Sequence, residues 1–204
     1  MVRQANTESG QRALVTGGAN GIGWETCRRL AACGYRVALA DIDGAAASAR
    51  VAELGSGHAA LAVDLTDRAA ASGLAARAAD ALDGLDVIVN NAGVTDTSGR
   101  PIVSLPDAAF QRLVDLNLVA VDAICASAGD VLPRGSRIVN LASGASFRPL
   151  ALRGPYSATK AGLIGMTRVW ALELGQYGIT ANAIAPGPIR TALFDKANPP
   201  GAPR

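Results

Sequence analysis

The sequence predicts an α/β protein built on a doubly wound, Rossmann-like parallel sheet of six strands with helices on both faces. Three observations carry this. Short runs of Val, Ile, Leu and Ala recur along the chain and alternate with longer stretches of helical periodicity, the pattern of repeated βαβ units. The short runs are nearly continuous in apolar character, as strands covered on both faces should be. The first run opens into "TGGANGIG" (16–23), a glycine-rich turn leading into a helix.

In chain order, "RALVT" (12–16) is the first strand, and "NGIGWETCRRLAACG" (20–34) is a helix that stops at Gly34. "YRVALAD" (35–41) is the second strand, and an Ala-rich helix follows it. "AALAVD" (59–64), "LDVIVNN" (85–91) and "SRIVNLAS" (136–143) read as the third, fourth and fifth strands. Long helical stretches at 106–129 and 155–177 flank the fifth, and "GITANAIAPG" (178–187) is the sixth. One domain covers 11–191; residues 1–10 are a flexible N-terminus, and 192–204 end in a Pro/Gly-rich coil.

Composition bounds the function. Of 204 residues, 50% are hydrophobic and 18% charged, enough for a sizeable core and against disorder. Aromatics are only 4%, so the core is aliphatic, with Trp24 and Trp170 as packing residues. The net charge of +2 comes from scattered basic residues, which argues against a nucleic-acid footprint. No apolar run reaches about 18 residues, so no membrane span is expected. "MVRQANTESG" has no apolar segment of the secretory type. Cys27, Cys33 and Cys125 form no C-x-x-C pair, which reads as a reducing, cytoplasmic setting with ordinary buried thiols. The single histidine, His58, is read as a solvent-exposed loop residue; it excludes a multi-histidine zinc site, and no metal is expected. No G-x-S-x-G elbow is present.

The glycine turn points to a dinucleotide. Gly17, Gly21 and Gly23, with Asn20 and Ile22 between them, let the backbone bend and approach a pyrophosphate. The following helix offers free N–H groups and its positive dipole end to that anion. There is no lysine in the turn, so it is not a nucleoside-triphosphate loop. Asp41 closes the second strand 20 residues after Gly21, where a carboxylate can accept from adenosine ribose hydroxyls. It would repel a 2′-phosphate, and no adjoining Arg or Lys offsets that, so NAD is favoured over NADP. The competing reading is that Asp41 or Asp43 caps the next helix.

With these residues in place, the chain resembles the short-chain dehydrogenase/reductase family in its ordinary, non-extended branch. "TGGANGIG" has that branch's T-G-x-x-x-G-x-G spacing, and "NNAG" (90–93) matches the motif after the fourth strand. Asn117 in "DLNLVA", Ser143, and Tyr156 and Lys160 in "YSATK" match the catalytic positions, and "PGPIRT" (186–191) matches P-G-x-x-x-T. The likeness spans residues 12–191. It implies an NAD-dependent oxidoreductase that interconverts a secondary alcohol and a ketone. Tyr156 would be the general acid/base. A free phenol titrates near pH 10, and a cation one helical turn away favours its ionised form. Lys160 would supply that charge and hold the nicotinamide ribose. Ser143 would bind the substrate oxygen, and Asn117 would hold a water that relays protons to Lys160. The resemblance further places Asp64 and Leu65 near the adenine. Asn90 and Gly93 would line the cleft through backbone contacts, with Asn91 and Ala92 beside them, and Pro186, Gly187, Ile189 and Thr191 would lie near the nicotinamide.

The resemblance also implies a longer C-terminus, with a substrate flap and a seventh strand, than "RTALFDKANPPGAPR" supplies. The sixth strand, "ITANAIA", is then expected to be an exposed edge, and the chain either retains turnover or is an impaired dinucleotide-binding or oligomer-forming fragment. A nucleotide-sugar epimerase is disfavoured by the glycine pattern. The helices at 106–129 and 155–177 carry more apolar residues than one buried stripe needs, which suggests a homodimer or homotetramer through them. In "GASFRPLALRG" (144–154), Phe147, Leu150 and Leu152 favour an apolar substrate body, and Arg148 or Arg153 is either a carboxylate ligand or a surface residue.

Overall fold

The computed structural model describes residues 10–96, 100–148 and 150–197. Six strands alternate with helices along the chain: β1 (Arg12–Thr16), α1 (Gly21–Ala32), β2 (Arg36–Asp41), α2 (Gly44–Leu54) and β3 (Ala59–Ala62). Then come α3 (Arg68–Ser72), α4 (Leu74–Leu82), β4 (Val87–Asn90), α5 (Asp107–Val114), α6 (Ala120–Ser127) and β5 (Arg137–Leu141). The chain continues through α7 (Gly154–Gly175), β6 (Thr180–Ile184) and α8 (Ala192–Ala197). The strands form one sheet in the order β3-β2-β1-β4-β5-β6, and every pairing is parallel. This is the doubly wound, Rossmann-like fold. The order reverses between β1 and β4, and the crevice beyond their C-terminal ends is where such sheets bind ligands.

Alternation along each strand builds two cores. Leu14, Ala38 and Ile88 face α4 and α6, packing on Leu74, Ala78, Leu82 and Ile124. Ala13, Val15, Val37, Leu39 and Val89 face the other layer, with Cys27 of α1 and Ala47 of α2. Successive strand residues point to opposite faces, so Leu14 and Val15 are both fully buried but in different layers. Full burial of such a side chain contributes about 1.5–3 kcal/mol. Trp24 and Trp170 pack against these cores, as expected of them.

Several local expectations need correction. The helix expected over 106–129 runs without a break but is not α throughout: a π-helical turn, Asp115–Val119, joins α5 to α6. His58 is half-buried rather than exposed, because its Nδ1 accepts the Val37 N–H at 3.1 Å. Pairing of β2 with β3 begins only at Ala38 and Ala59, so no strand carbonyl takes that N–H and the imidazole replaces it. Cys27 is buried, but Cys33 is exposed. Residues 192–197 are helical rather than coil; 1–9 and 198–204 lie outside the described residues.

Among the described residues no strand lies beyond β6, and Thr180, Asn182, Ala183 and Ile184 are exposed along it. Much of the apolar surplus on the two long helical stretches is used within the chain: Leu113, Val121, Ile124, Leu163 and Ile164 are buried. Phe110, Val169 and Leu172 are not, and Leu172 is 82% exposed. No helix among the described residues is long and apolar enough to cross a membrane.

Candidate functional site

The glycine turn between β1 and α1 is laced to the end of β4. Thr16 Oγ1 accepts the N–H groups of Asn91 and Ala92, each at 3.0 Å. Asn91 Nδ2 returns bonds to the carbonyls of Thr16 at 2.9 Å and Gly17 at 3.0 Å. The side chain of Asn91 therefore braces the turn. Gly17 has φ +62°, and a Cβ there would lie 2.9 Å from Ala92 Cα. A Cβ on Gly23 would lie 2.0 Å from the Gly17 carbonyl oxygen. Glycine is thus sterically required at both positions. The N-cap residue of α1, Asn20, makes no side-chain cap, and the first turn holds no acidic residue. Its N–H groups and dipole are open to an anion. Thr191 lies over the turn, 3.3 Å from where a Cβ on Gly21 would sit, and the Gly144 N–H donates to the Pro186 carbonyl at 2.8 Å. The 186–191 segment therefore closes one side of a cradle that fits a pyrophosphate.

Asp41, at the end of β2, does not cap α2; Asp43 does, accepting the Ala46 N–H at 2.9 Å. Asp41 instead points into the turn, where Oδ2 accepts the Ala19 N–H at 3.0 Å and Oδ1 the Asp43 N–H at 3.2 Å. Beside it Ile42 is 72% exposed, an apolar platform at the strand end that the sequence reading did not single out. Asp64 is exposed, and its Oδ1 accepts from the Thr66 N–H and hydroxyl, which together hold its carboxyl below the usual range. Leu65 is buried. The side chain of Asn90 sits in the core, donating to Asn140 Oδ1 at 2.9 Å and to Cys125 Sγ at 3.3 Å.

A second group of polar residues lies along β5 and α7. Pro155 opens α7, where its fixed φ suits the first turn. Tyr156 follows, half-buried, and Lys160 lies one turn on along the same face. Lys160 is 5% exposed, and its Nζ donates to the Leu141 carbonyl at 2.7 Å. Burial lowers this ammonium to about 8. Asn117, fully buried in the π-helical turn, accepts the Val94 N–H at 2.9 Å and donates to the Val94 carbonyl and Thr159 Oγ1, each at 3.0 Å. Both amide hydrogens are thereby used, while Oδ1 keeps a second lone pair. Between them lies Gly93, where a Cβ would sit 3.0 Å from Asn117 Oδ1 and 3.2 Å from Lys160 Nζ. Ser143, two residues beyond Leu141, is half-buried with Oγ accepting the Ala145 N–H at 3.2 Å.

The connection from β5 to α7 forms the rim. Phe147, Leu150 and Leu152 are exposed there, and Leu152 holds φ +63°, a left-handed conformation that costs a branched side chain energy and clusters at functional sites. Arg148 is exposed. Arg153 is half-buried and donates to the Asp96 carbonyl, so it ties the rim to the loop after β4. That partnership is long-range, and no local pattern signals it. Among the described residues no group of His, Cys, Asp and Glu is placed to hold a metal.

A sequence profile of the short chain dehydrogenase family matches residues 11–201. A sorbitol dehydrogenase of Cereibacter sphaeroides is 40% identical over 190 residues, covering 91% of this chain and 73% of that protein. A galactitol 2-dehydrogenase of Agrobacterium fabrum is 37% identical over 178 residues, covering 86% and 69%. Among solved structures, a short chain dehydrogenase from Burkholderia cenocepacia in complex with NADP superposes with a TM-score of 0.86 at 37% identity, covering 92% of this chain and 78% of that one. A 3-ketoacyl-(acyl-carrier-protein) reductase from Brucella melitensis complexed with NADH gives a TM-score of 0.87 at 27% identity, covering 92% and 80%.

Proposed function

The chain belongs to the short-chain dehydrogenase family, and on that premise we propose that it interconverts a secondary alcohol and its ketone with NAD(H). The observation that carries this reading is the meeting of Gly93, Asn117 and the buried Lys160 one helical turn from Tyr156, beside the glycine cradle. A buried ammonium without a carboxylate partner is costly to a fold. Its placement makes sense if its charge is used.

When bound, the nicotinamide supplies the hydride acceptor or donor. The chain's residues handle the proton and the geometry. Tyr156 gives a proton to the substrate oxygen in reduction and takes it in oxidation. Lys160 stabilises negative charge on the phenol oxygen as that proton moves, and its Nζ holds the nicotinamide ribose. Ser143 donates to the substrate oxygen and orients it. Asn117 acts as a clamp on Val94 and Thr159. A water held at the Asn117 site relays protons between Lys160 and solvent.

Gly17, Asn20, Gly21, Ile22 and Gly23 hold the pyrophosphate, and Ala92 and Gly93 border the cleft. Asp41 accepts from the adenosine ribose hydroxyls and, being anionic, disfavours a 2′-phosphate, so NAD is the cofactor. Leu65 and Ile42 flank the adenine, with Asp64 at its edge. Pro186, Gly187, Ile189 and Thr191 cover the nicotinamide side. The apolar rim of Phe147, Leu150 and Leu152 suits a small to medium alcohol. The named activities of the two dehydrogenase relatives make sugar alcohols the first substrates to test. Exposed Phe110, Val169 and Leu172 support pairing of subunits through the 106–129 and 155–177 stretches.

A second reading has its own observation. Ile189 and Leu193 stand exposed beside the cradle, so water reaches that side, and the chain would then bind the dinucleotide with little turnover. A panel of secondary alcohols, sugar alcohols included, assayed with NAD by absorbance of the reduced cofactor separates the two. Turnover that falls about 10²–10⁴-fold in Tyr156→Phe, with NADH binding kept, supports the enzyme. A fully active Tyr156→Phe variant contradicts the mechanism, and binding without turnover on any alcohol supports the second reading.

A further inference from the structure

Ala19 in the turn is held from two directions. Its N–H donates to Asp41 Oδ2 at 3.0 Å, and its carbonyl accepts from Arg50 Nε at 3.2 Å. Arg50 comes from the middle of α2 and is itself fixed twice more. Its guanidinium carbon lies 4.7 Å from the centroid of the Trp24 ring on α1. Its Nη1 donates to Glu53 Oε1 at 2.9 Å and Oε2 at 3.2 Å. A planar guanidinium offers several donors in a rigid fork and stacks on aromatic faces. Here both properties are used on one side chain.

The turn needs such a tie. Gly17, Gly18, Gly21 and Gly23 give the segment wide conformational freedom, which is lost on folding. Ala19 sits among them with its side chain 1% exposed. The peptide group on its N-terminal side orients the Asp41 carboxylate, and the one on its C-terminal side leads into Asn20 and the open N-terminus of α1. Fixing both peptides sets the ribose acceptor and the phosphate donors relative to each other.

Resting on the NAD-dependent reading above, we infer that Arg50 is a positioning residue for the adenosine half of the dinucleotide, acting through Ala19 on Asp41. Three engagements of one guanidinium argue for this role over direct contact with a 2′-phosphate. Glu53 neutralises its charge, and Asp41 places an anion on the other side of Ala19.

The test measures NADH, NADPH and ADP-ribose affinity by titration, with apo melting temperatures, for the wild type, Arg50→Met, Arg50→Lys and Glu53→Gln. Arg50→Met keeps an apolar stem against Trp24 and removes the bond to Ala19. It is expected to weaken NADH and ADP-ribose by the same factor, roughly tenfold, with little change in apo melting temperature. Arg50→Lys keeps a cation over the ring but lacks the Nε donor, so it loses most of that factor; it also serves if the Met variant is unstable. Glu53→Gln loosens one tie on Arg50 but keeps the bond to Ala19, so it weakens NADH by much less than Arg50→Met. Wild-type affinity in both Arg50 variants, a loss confined to NADPH, or an equal loss in Glu53→Gln overturns the inference. Failure of the wild type to bind any of the three ligands removes the cofactor reading and this inference with it.

Discussion

The Lys160 ammonium donates to the Leu141 carbonyl at 2.7 Å from a site where burial lowers it to about 8. The folded value is thus below the unfolded one, near 10.5. Below pH 8 both states carry the charge and the fold bears the whole desolvation cost. As pH rises from about 8 to about 10.5 the folded state sheds its proton first and stability rises, by up to roughly 3 kcal/mol. Lys160→Met therefore raises the melting temperature of the ligand-free protein at pH 7 while abolishing turnover. Its advantage over wild type shrinks toward pH 10. A variant less stable than wild type at pH 7 contradicts this account of the lysine.

Gly23 is closed in by backbone. A Cβ there meets the Gly17 carbonyl at 2.0 Å and Asn91 Nδ2 at 2.5 Å. Gly23→Ala must displace the turn, costing about 1–3 kcal/mol and at least tenfold in NADH affinity. Urea unfolding and cofactor titration of the same variant check both. Unchanged affinity means the turn does not hold the dinucleotide.

Asn117 pairs both backbone groups of Val94. Asn117→Ala leaves them without partners, at about 1–3 kcal/mol for each group denied water. The urea midpoint should fall accordingly. Asn117→Leu, which restores volume but no polar atoms, should not recover it; recovery by Leu makes the site a matter of packing alone.

His58 gives a pH signature away from the cleft. Desolvation, with Arg36 as a lesser contribution, lowers its titration below 6.5. Above pH 6.5 the neutral ring accepts the Val37 N–H in full. That contribution is lost as pH falls through 6.5 toward the lowered folded value, since a protonated ring cannot accept. Melting temperature should therefore drop between pH 7.5 and 5. The drop should be smaller in His58→Asn, whose amide oxygen can take the same N–H without titrating. Equal slopes exclude His58 as the cause.

The parts of this molecule legible in the sequence are those with local causes. The strands announced themselves through apolar runs because both faces of the sheet are covered, and the order of strand, glycine turn and helix located the crevice. Tyr156 and Lys160 share a helix, so their spacing alone put them on one face. What was hidden depends on distant partners. "DLNLVA" reads as ordinary helix, and the π-helical turn appears only where Asn117 meets Val94 and Thr159. Asn90 sits one position from Asn91, yet strand alternation sends its side chain into the core. His58 looked like a loop residue because the opening it fills is set by the register of β2 on β3. Arg50 reaches Ala19 from another helix, and Arg153 reaches Asp96 across the rim. The ion pair of Arg12 and Asp86, at 2.8 Å and almost fully buried, spans the far end of the sheet in the same way.

The most direct measurement is titration of the purified chain with NADH and NADPH, following protein fluorescence and melting temperature together. The account predicts saturable NADH binding at micromolar concentration, a melting temperature that rises with it, and NADPH at least tenfold weaker through Asp41. Binding of neither, with no thermal shift, would contradict the central claim that the cradle and the Lys160 site together hold a nicotinamide dinucleotide.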